Sequence, residues 1–397
     1  MGNRAAGGGG VMDYMVLRAS GPAARSSKIQ TMSGRDGAAT LSVAKETLGD
    51  RHLAEHRRDP MVRAVARVMP TLLVAPLATG DGDAEPWGVE AMGCEDTRFS
   101  GKGVTVAVLD TGIAPEHRAF EAGPALELKD FTGTTPVDVD GHGTHCAGVI
   151  FGGSVRGRRI GVAPGVSGRM IGKVLHSGRG DTRMLFEGLN WAIAGRANVI
   201  ALSLGLDLAG MISDEIEGGL PERYATSIVL DAYRENLRFF DSLIATAVNP
   251  TPFSAGAVVI AAAGNESRAD LDPRYRSSPT LPAAARGVIS VGALERVGGQ
   301  YQVAAFSNAA PDLCAPGVNI LSAGLDNGLV GMSGTSMACP HVAGAAALWW
   351  EAVCEPSPPL RPAEDVRMQI GANADGKKLG HIPVGLRGRG MVTIPQG

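Results

Sequence analysis

The chain has few cysteines, few aromatic residues and no excess of charge of one sign. Its 397 residues include five cysteines, 5% aromatic residues and a formal net charge of −3. The cysteines are odd in number and lack C-x-x-C spacing, so we expect buried free thiols rather than a disulfide scaffold. The nearly balanced charge gives no electrostatic reason to expect nucleic acid or an anionic membrane as a partner.

Long hydrophobic runs are also missing. No stretch approaches the roughly 18 apolar residues of a membrane span. Near the N-terminus, a glycine tract lies where the apolar core of a signal peptide would be. Ala6 stands where a myristoylation motif needs Ser or Thr. These features favour the cytoplasm and a chain that does not bind membranes.

The first 77 residues differ in texture from the rest and predict a small α+β module. Residues 1–10 and 19–40 are rich in Gly, Ser, Ala and Arg, and we expect them to be flexible. Residues 78–86 (ATGDGDAEP) are small, acidic and closed by a proline, which is typical of a linker. The predicted elements of the module are strands over Met12–Leu17, 62–68 and 72–74 and a helix over about Leu41–Arg57.

From Trp87 onward, continuous apolar runs rich in β-branched residues alternate with helical patterns. Strands of this kind are buried on both faces, which is typical of a parallel sheet covered by helices. We therefore predict an α/β, doubly wound domain with a mostly parallel sheet and helices on both faces over 87–397. The apolar runs are Val104–Leu109, 170–175, 199–204, 258–263 and 288–291.

One segment of this domain, 221–250, predicts a long amphipathic helix. Its apolar residues are spaced by three or four positions, which places them on one helical face. Packing into the core is the first interpretation of that face, and docking of a partner is the second. The apolar residues are Val229, Tyr233, Leu237, Phe240 and Ile244.

Three motifs carry residues suited to nucleophilic catalysis. VTVAVLDTGI places Asp110 at the end of a buried strand, DGHGTHCAGVI places His142 at a helix start, and GMSGTSMACP leads Ser336 into a long apolar helix. A serine hydroxyl becomes a good nucleophile when a neutral imidazole takes its proton, and a buried carboxylate fixes that imidazole. A fourth motif, AAAGN, ends a buried strand in Asn265, whose amide could stabilise an oxyanion.

Each motif also has another interpretation. Asp110-Thr111-Gly112 matches aspartic proteases, which need a second D-[ST]-G that this chain lacks. His142 and His145 could suggest zinc, but there is no HExxH and no evident third ligand. We expect His145 and His341 to be structural. Cys146 could be a nucleophile, although nothing else in the chain resembles a cysteine protease.

Taken in order, the Asp, His and Ser motifs resemble those of the subtilisin-like serine proteases (subtilases) over about 87–350. The resemblance implies a serine endopeptidase that acts on a peptide or protein substrate. It implies Asp110 as orienting acid, His142 as general base and Ser336 as nucleophile. It implies an oxyanion hole formed by Asn265 and the backbone N–H of Ser336. Cys146 resembles the cysteine of the thiol-sensitive, proteinase-K-like members.

The resemblance also implies three substrate-binding segments. One pairs with the substrate backbone as an added strand, and the other two form the walls of the primary specificity pocket. The first is Gly178, Arg179 and Gly180; the second is Ser203, Leu204 and Gly205; the third is Ala262, Ala263 and Gly264.

The chain departs from the subtilase pattern in two places. Residues 206–256 form an insertion beside the expected pocket, which could restrict access or recruit a partner. The loop GGSVRGRRIGV lacks the Asn that helps hold calcium in subtilisin, so the sequence supports no metal or other cofactor.

Two further functional hypotheses stay open at this point. An acyl transferase (a peptide macrocyclase or ligase) would use the same acyl-enzyme, and a catalytically silent binding protein would keep the fold alone. The N-terminal module resembles an inhibitory propeptide, and we expect it to bind the catalytic domain in cis and to be cut off between about Leu77 and Trp87.

Overall fold

The structure is a computed structural model of the chain, and two compact units can be distinguished in it. The first comprises residues 1–70 and 207–243, and the second comprises residues 71–206 and 244–397. The residues that the structure describes are 11–20, 30–31, 40–74, 77–78, 86–248, 255–355, 357, 359 and 362–396.

The strands and helices are numbered here in chain order. The strands are β1 (Met12–Ser20), β2 (Gln30–Thr31), β3 (Thr40–Leu48), β4 (Val62–Arg67), β5 (Pro70–Leu73), β6 (Leu77–Ala78), β7 (Thr105–Asp110), β8 (Leu126–Asp130), β9 (Gly168–Lys173), β10 (Arg179–Asp181), β11 (Val199–Leu202), β12 (Leu204–Leu206), β13 (Val258–Ala262), β14 (Val288–Val297), β15 (Gln300–Val303), β16 (Leu313–Pro316), β17 (Ile320–Ala323) and β18 (Leu329–Ser333). The helices are α1 (Asp50–His56), α2 (Trp87–Ala91), α3 (His142–Phe151), α4 (Thr182–Ala194), α5 (Leu208–Glu217), α6 (Glu222–Val248), α7 (Thr335–Cys354), α8 (Pro362–Asn373) and α9 (Val384–Arg387), with a 3₁₀ turn at Arg118–Phe120.

The first unit contains an antiparallel sheet in the order β2-β3-β1-β4. Strand β1 is central, and its whole length pairs with β3 from Met12↔Leu48 to Ser20↔Thr40. Side chains from the sheet and from α1 form a small apolar core. The predicted α+β character of the N-terminal module agrees with this arrangement. The core residues are Tyr14, Val16, Leu48, Leu53 and Val65.

The predicted helix over Leu41–Arg57 is wrong in its first half. Residues 40–48 form β3, and only Asp50–His56 is helical. Ala44, Lys45 and Glu46 are good helix formers, but their tertiary pairing with β1 overrides that weak local preference.

The second unit is built on an eight-stranded sheet in the order β15-β14-β13-β11-β7-β9-β8, with β16 beside β14. All neighbouring pairs are parallel except β14 with β15. Helix α7 packs on β11, β13 and β14 and against α3, whereas α4 packs on β7 and β9. The predicted α/β fold with a mostly parallel sheet is confirmed.

The unit boundaries differ from the predicted domains. Residues 71–74 belong to the second unit, whereas the module was predicted to continue to residue 77. The helix predicted over 221–250 exists as α6, but the insertion up to Leu243 belongs to the first unit rather than to the catalytic domain. The predicted linker, 78–86, and the predicted flexible segments lie almost entirely outside the described residues.

Within the described ranges, none of the helices combines the length and the apolar character that crossing a bilayer would require.

Candidate active site

Asp110 lies at the carboxyl end of β7, in the middle of the parallel sheet. The residue is fully buried, and its Oδ1 accepts a hydrogen bond from the backbone N–H of Thr111 at 2.7 Å. The same oxygen lies 2.8 Å from Nδ1 of His142. A buried carboxylate in this position favours the tautomer with a proton on Nδ1, which leaves Nε2 free to accept one.

His142 is the first residue of α3 and is almost completely buried. Gly141 before it has a left-handed backbone (φ 84°), which suits glycine. A Cβ on Gly143 would lie 2.2 Å from the carbonyl oxygen of Gly112, so only glycine allows α3 to approach the loop after Asp110 so closely.

Asp138 links the start of α3 to the loop that follows Asp110, and the sequence did not predict this role. Its Oδ1 accepts from the backbone N–H groups of Asp140 (2.9 Å) and Gly141 (3.0 Å). Its Oδ2 accepts from the backbone N–H (2.9 Å) and the hydroxyl (2.7 Å) of Thr144. The Thr144 hydroxyl oxygen in turn accepts from the backbone N–H of Ala114 at 2.9 Å. The carboxylate thus caps the first turn of α3; its only sequence signal was its position before the His motif.

Ser336 lies in the first turn of α7 and is fully buried. Its Oγ lies 3.1 Å from the carbonyl oxygen of Val74 and 3.3 Å from that of Ser203, and the hydroxyl can donate to either. Nε2 of His142 has no hydrogen-bond partner in the described part of the chain. The serine hydroxyl therefore contacts a peptide carbonyl of its own chain.

Asn265 follows β13 at the edge of the same site. Its Oδ1 accepts from both the backbone N–H and the hydroxyl of Thr335, each at 2.9 Å. This double contact fixes the amide plane. A Cβ built on Gly334 would lie 3.0 Å from Nδ2 of Asn265, so the amide nitrogen lies beside the turn that delivers Ser336. The amide is thus preorganised as a hydrogen-bond donor next to the serine.

The segment predicted to pair with substrate backbone and one predicted wall of the specificity pocket flank β5. Strands β10, β5 and β12 form one three-stranded sheet with β5 in the centre. On one side, Leu73 donates its N–H to the carbonyl of Gly178 at 2.8 Å. On the other side, β5 pairs antiparallel with β12, from Leu73↔Leu204 to Thr71↔Leu206. Arg179 and Gly180 therefore lie in one flanking strand, and Leu204 and Gly205 lie in the other.

Of the remaining predicted pocket residues, Ser203 contacts Ser336, and the other three lie at the carboxyl end of β13. The Ser203 hydroxyl donates to the carbonyl of Ser336 at 3.2 Å. Ala262 ends β13, and Ala263 follows it as a buried residue. Gly264 donates its N–H to the Thr335 hydroxyl at 3.1 Å. These contacts place Ser203 and Gly264 at the N-terminal end of α7.

Cys146 lies one helical turn after His142 on α3. Its Sγ is 3.8 Å from Nδ1 of His142 and donates to the carbonyl of Ser336 at 3.4 Å. Burial, and secondarily the charge of Asp110, raises the pKa of this thiol well above its usual value. The thiol therefore stays protonated at neutral pH and is a poor nucleophile.

The two other histidines near the site contact backbone carbonyls. Nε2 of His145 bonds the carbonyl of Ile320, and Nδ1 of His341 bonds that of Met337, each at 2.8 Å. Burial lowers the pKa of His145 to about 3 and that of His341 to about 4, so both are neutral at pH 7.

The possible metal-ligand atoms that converge at His142 do not include those of His145. Among the described residues, the ligand atoms that converge to within 4.8 Å belong to Asp110, His142 and Cys146. A metal there would occupy the pair that orients the imidazole.

An arginine of the chain holds the loop over residues 152–162, which lacks the Asn of a calcium site. The guanidinium of Arg159 donates to the carbonyls of Gly161 and Val162, each at 3.0 Å, and to that of Cys94 at 2.5 Å. The Arg159 guanidinium thus joins two carbonyls of this loop to one carbonyl of an earlier segment.

Comparison with known proteins agrees with this geometry. A model described as "Subtilase family" matches residues 101–383. The chain is 30% identical over 315 residues to a thermostable alkaline protease of Halalkalibacterium halodurans, covering 78% of this chain and 72% of that protein. It is 32% identical over 321 residues to subtilisin E of Bacillus subtilis, covering 78% and 70%. It is 33% identical over 284 residues to subtilisin-like protease 3 of Pseudogymnoascus destructans, covering 66% of this chain and 58% of that protein. The chain therefore belongs to the subtilase family of serine endopeptidases.

Proposed function

We propose that this endopeptidase cuts peptide bonds with Ser336 as nucleophile, His142 as general base and Asp110 as the carboxylate that orients the base. The observation that carries the proposal is the buried contact of 2.8 Å between Nδ1 of His142 and Oδ1 of Asp110, with Ser336 Oγ against a peptide carbonyl. A buried carboxylate stabilises the imidazolium that forms when the histidine takes a proton.

The reaction would proceed through an acyl-enzyme. Ser336 Oγ attacks the carbonyl carbon while its proton moves to Nε2 of His142. The amide of Asn265 and the backbone N–H of Ser336 stabilise the oxyanion. His142 then returns the proton to the leaving amine, and a water molecule, activated by the same imidazole, hydrolyses the ester.

The substrate would be a peptide that enters as an extended strand. Strand β5 takes that place in this chain, between the segment of Gly178 and the segment of Leu204. Backbone hydrogen bonds on both sides hold such a strand whatever its side chains, and pockets for alternate side chains give selectivity. This mode of binding fits protein and peptide substrates.

We propose further that residues 71–74 act as an inhibitory substrate in cis. Val74 presents its carbonyl to Ser336, so the bond between Val74 and Ala75 is the one that the nucleophile would attack. After Ala75 and Pro76, Leu77 and Ala78 pair antiparallel with β18 on residues 332–333. Strand pairing of the described residues before and after this bond supports binding of the segment as a substrate. The sequence predicted a cut between about Leu77 and Trp87, whereas the contact of Ser336 with Val74 supports a cut at Val74–Ala75.

The proposal is tested by covalent labelling with a fluorophosphonate, which reacts with an activated serine. Labelling of the purified enzyme and its loss in Ser336→Ala would support the assignment. Ser333→Ala is the matched control, because Ser333 lies in the same motif but at the end of β18. Labelling that persists in Ser336→Ala would refute it. Peptide hydrolysis should fall by roughly 10⁶-fold in Ser336→Ala, because the three residues act as a unit.

A further inference from the structure

The side chain of Val74 shows what the cleft holds at the position before the scissile bond. The Val74 carbonyl lies against Ser336, and the residue is only 6% exposed. In serine proteases the side chain at this position enters the primary specificity pocket, which selects the substrate. The groups around Val74 therefore indicate which substrate side chains the enzyme accepts.

A short segment over residues 278–281, called here the bridging segment, connects the two walls of this pocket that the sequence predicted. The backbone carbonyl of Ser278 accepts from Nδ2 of Asn308 at 3.4 Å. The same nitrogen donates to the carbonyl of Ala263, a residue of one wall, at 3.0 Å. Asn308 thereby joins the beginning of the bridging segment to that wall.

The other end of the bridging segment is joined to the opposite wall. Leu206, which directly follows the wall residue Gly205, donates its N–H to the carbonyl of Leu281 at 3.2 Å. Leu281 is fully buried, so this attachment is protected from water. Thr280 lies between the two points of attachment, in the part of the chain that closes the space between the walls.

Val74 and Thr280 lie over the same face of Gly205. A Cβ built on Gly205 would lie 3.7 Å from Cγ2 of Val74 and 3.7 Å from Oγ1 of Thr280. It would lie 4.0 Å from the carbonyl oxygen of Leu281. These are ordinary van der Waals distances, so the gap that the three groups leave beside Gly205 has room for about one methyl group.

We propose that Thr280 closes the primary specificity pocket, so that the enzyme cuts after valine and isoleucine and discriminates against aromatic residues. The proposal rests on the function proposed above and adds the substrate class of that site. Isoleucine exceeds valine by one methyl group, which the gap accommodates. A phenylalanine ring exceeds valine by far more, and it would need Thr280 and the bridging segment to move away from both walls. Forcing extra atoms into a packed site in this way costs free energy.

Peptides that differ only in the residue before the scissile bond test the proposal on the purified enzyme. The wild type should cut the valine peptide with a kcat/KM roughly 10- to 200-fold above that for the phenylalanine peptide. The isoleucine peptide should lie within about tenfold of the valine peptide. A wild type that prefers the phenylalanine peptide, or that cuts both equally well, would overturn the proposal.

Two variants of Thr280 separate the size of its side chain from its hydroxyl. Thr280→Ala shortens the side chain and should lower the ratio of kcat/KM for valine over phenylalanine by roughly tenfold. Thr280→Val is the matched control, because it removes the hydroxyl and keeps the shape of the side chain, so it should keep the wild-type ratio. An unchanged ratio in Thr280→Ala, or an equal change in both variants, would refute the role of Thr280.

Gly205→Ala tests the gap from the opposite wall. Its methyl group would fill the gap at van der Waals distance from Val74, so the pocket would fit valine but not the extra methyl group of isoleucine. The ratio of kcat/KM for valine over isoleucine should therefore rise by roughly tenfold. A ratio that stays at the wild-type value or falls would contradict the proposed size of the gap.

Hydrogen exchange in the full-length Ser336→Ala chain needs no catalysis, and so it distinguishes failure of this proposal from failure of the proposed function. Val74→Phe should speed exchange of the β5 and β12 amides by roughly tenfold, and adding Thr280→Ala should reverse most of this effect. Val74→Ile should exchange like the parent chain. Equal exchange in Val74→Phe and Val74→Ile would overturn the proposal whether or not the enzyme cuts peptides.

Discussion

The hydroxyl oxygen of Ser336 lies 3.1 Å from the carbonyl oxygen of Val74, a residue 262 positions earlier in the chain. Through this contact, a segment from the N-terminal part of the chain lies against the proposed nucleophile in the position of a substrate. It connects the proposed chemistry with the proposed inhibition, because the same strand is both a ligand of the cleft and a candidate for the first cut.

Asn265→Ala should lower kcat about 10²- to 10³-fold and leave KM almost unchanged. The amide that Thr335 holds in place stabilises charge that develops only in the transition state. Steady-state kinetics on a peptide substrate measure both constants. Thr335→Val, which removes one of the two contacts to Oδ1, should give a smaller loss in kcat. A change confined to KM would assign Asn265 to substrate binding instead.

Cys146 should make the enzyme sensitive to mercurials. A bulky mercurial on Sγ, 3.8 Å from Nδ1 of His142, would displace the imidazole and inhibit, whereas Cys146→Ala should remain active and resistant. Iodoacetamide should react slowly, because the raised pKa keeps the thiol protonated at neutral pH. The experiment uses a Cys354→Ser background, since Cys354 is the free cysteine that is not fully buried. Full activity after stoichiometric mercuration of Cys146 would refute this prediction.

Arg159 should stabilise the fold because its guanidinium joins three backbone carbonyls from two segments of the chain. Arg159→Ala removes three charge-assisted hydrogen bonds to carbonyls and should lower the free energy of unfolding by about 2–4 kcal/mol. Urea denaturation of the Ser336→Ala chain measures it, with the exposed neighbour Arg158→Ala as control. A chelator should leave the urea midpoint unchanged. A large chelator effect together with a neutral Arg159→Ala would contradict the interpretation.

Stability should fall in acid partly because His145 and His341 are buried neutral. Their folded pKa values of about 3 and 4 lie below the unfolded value of about 6.5. The unfolded chain therefore binds protons that the folded chain does not. Above about pH 6.5, neither histidine lowers the free energy of unfolding. Below that pH, each lowers it by about 1.4 kcal/mol per pH unit until the pH reaches the folded pKa of that residue. In the Ser336→Ala chain, His341→Gln should flatten the dependence by that amount between about pH 6 and 4. An unchanged slope would show that His341 does not titrate on unfolding.

Much of the site could be predicted because local sequence positions its residues. The apolar runs that form β7 and α7 determine where Asp110 and Ser336 lie, and the glycines around His142 determine how α3 begins. The fold class followed from the same runs, since buried parallel strands leave a clear apolar signature.

Other features depend on contacts between distant segments, which one sequence does not reveal. The strand at Thr40–Leu48 forms because β1 pairs with it, and its own residues favour a helix. The docking of Val74 at Ser336 and the attachment of residues 278–281 to both pocket walls join segments far apart in the chain. The role of Arg159 could not be predicted, because its carbonyl partners carry no side-chain signal.

Intact-mass measurement with N-terminal sequencing tests the central claim most directly. Freshly purified wild type is compared with Ser336→Ala. If Ser336 cuts the strand that it contacts, the wild type should lose residues 1–74 and begin at Ala75, while Ser336→Ala keeps its full-length mass. Identical full-length masses in a wild type with full peptidase activity, or the same cut in Ser336→Ala, would contradict the account.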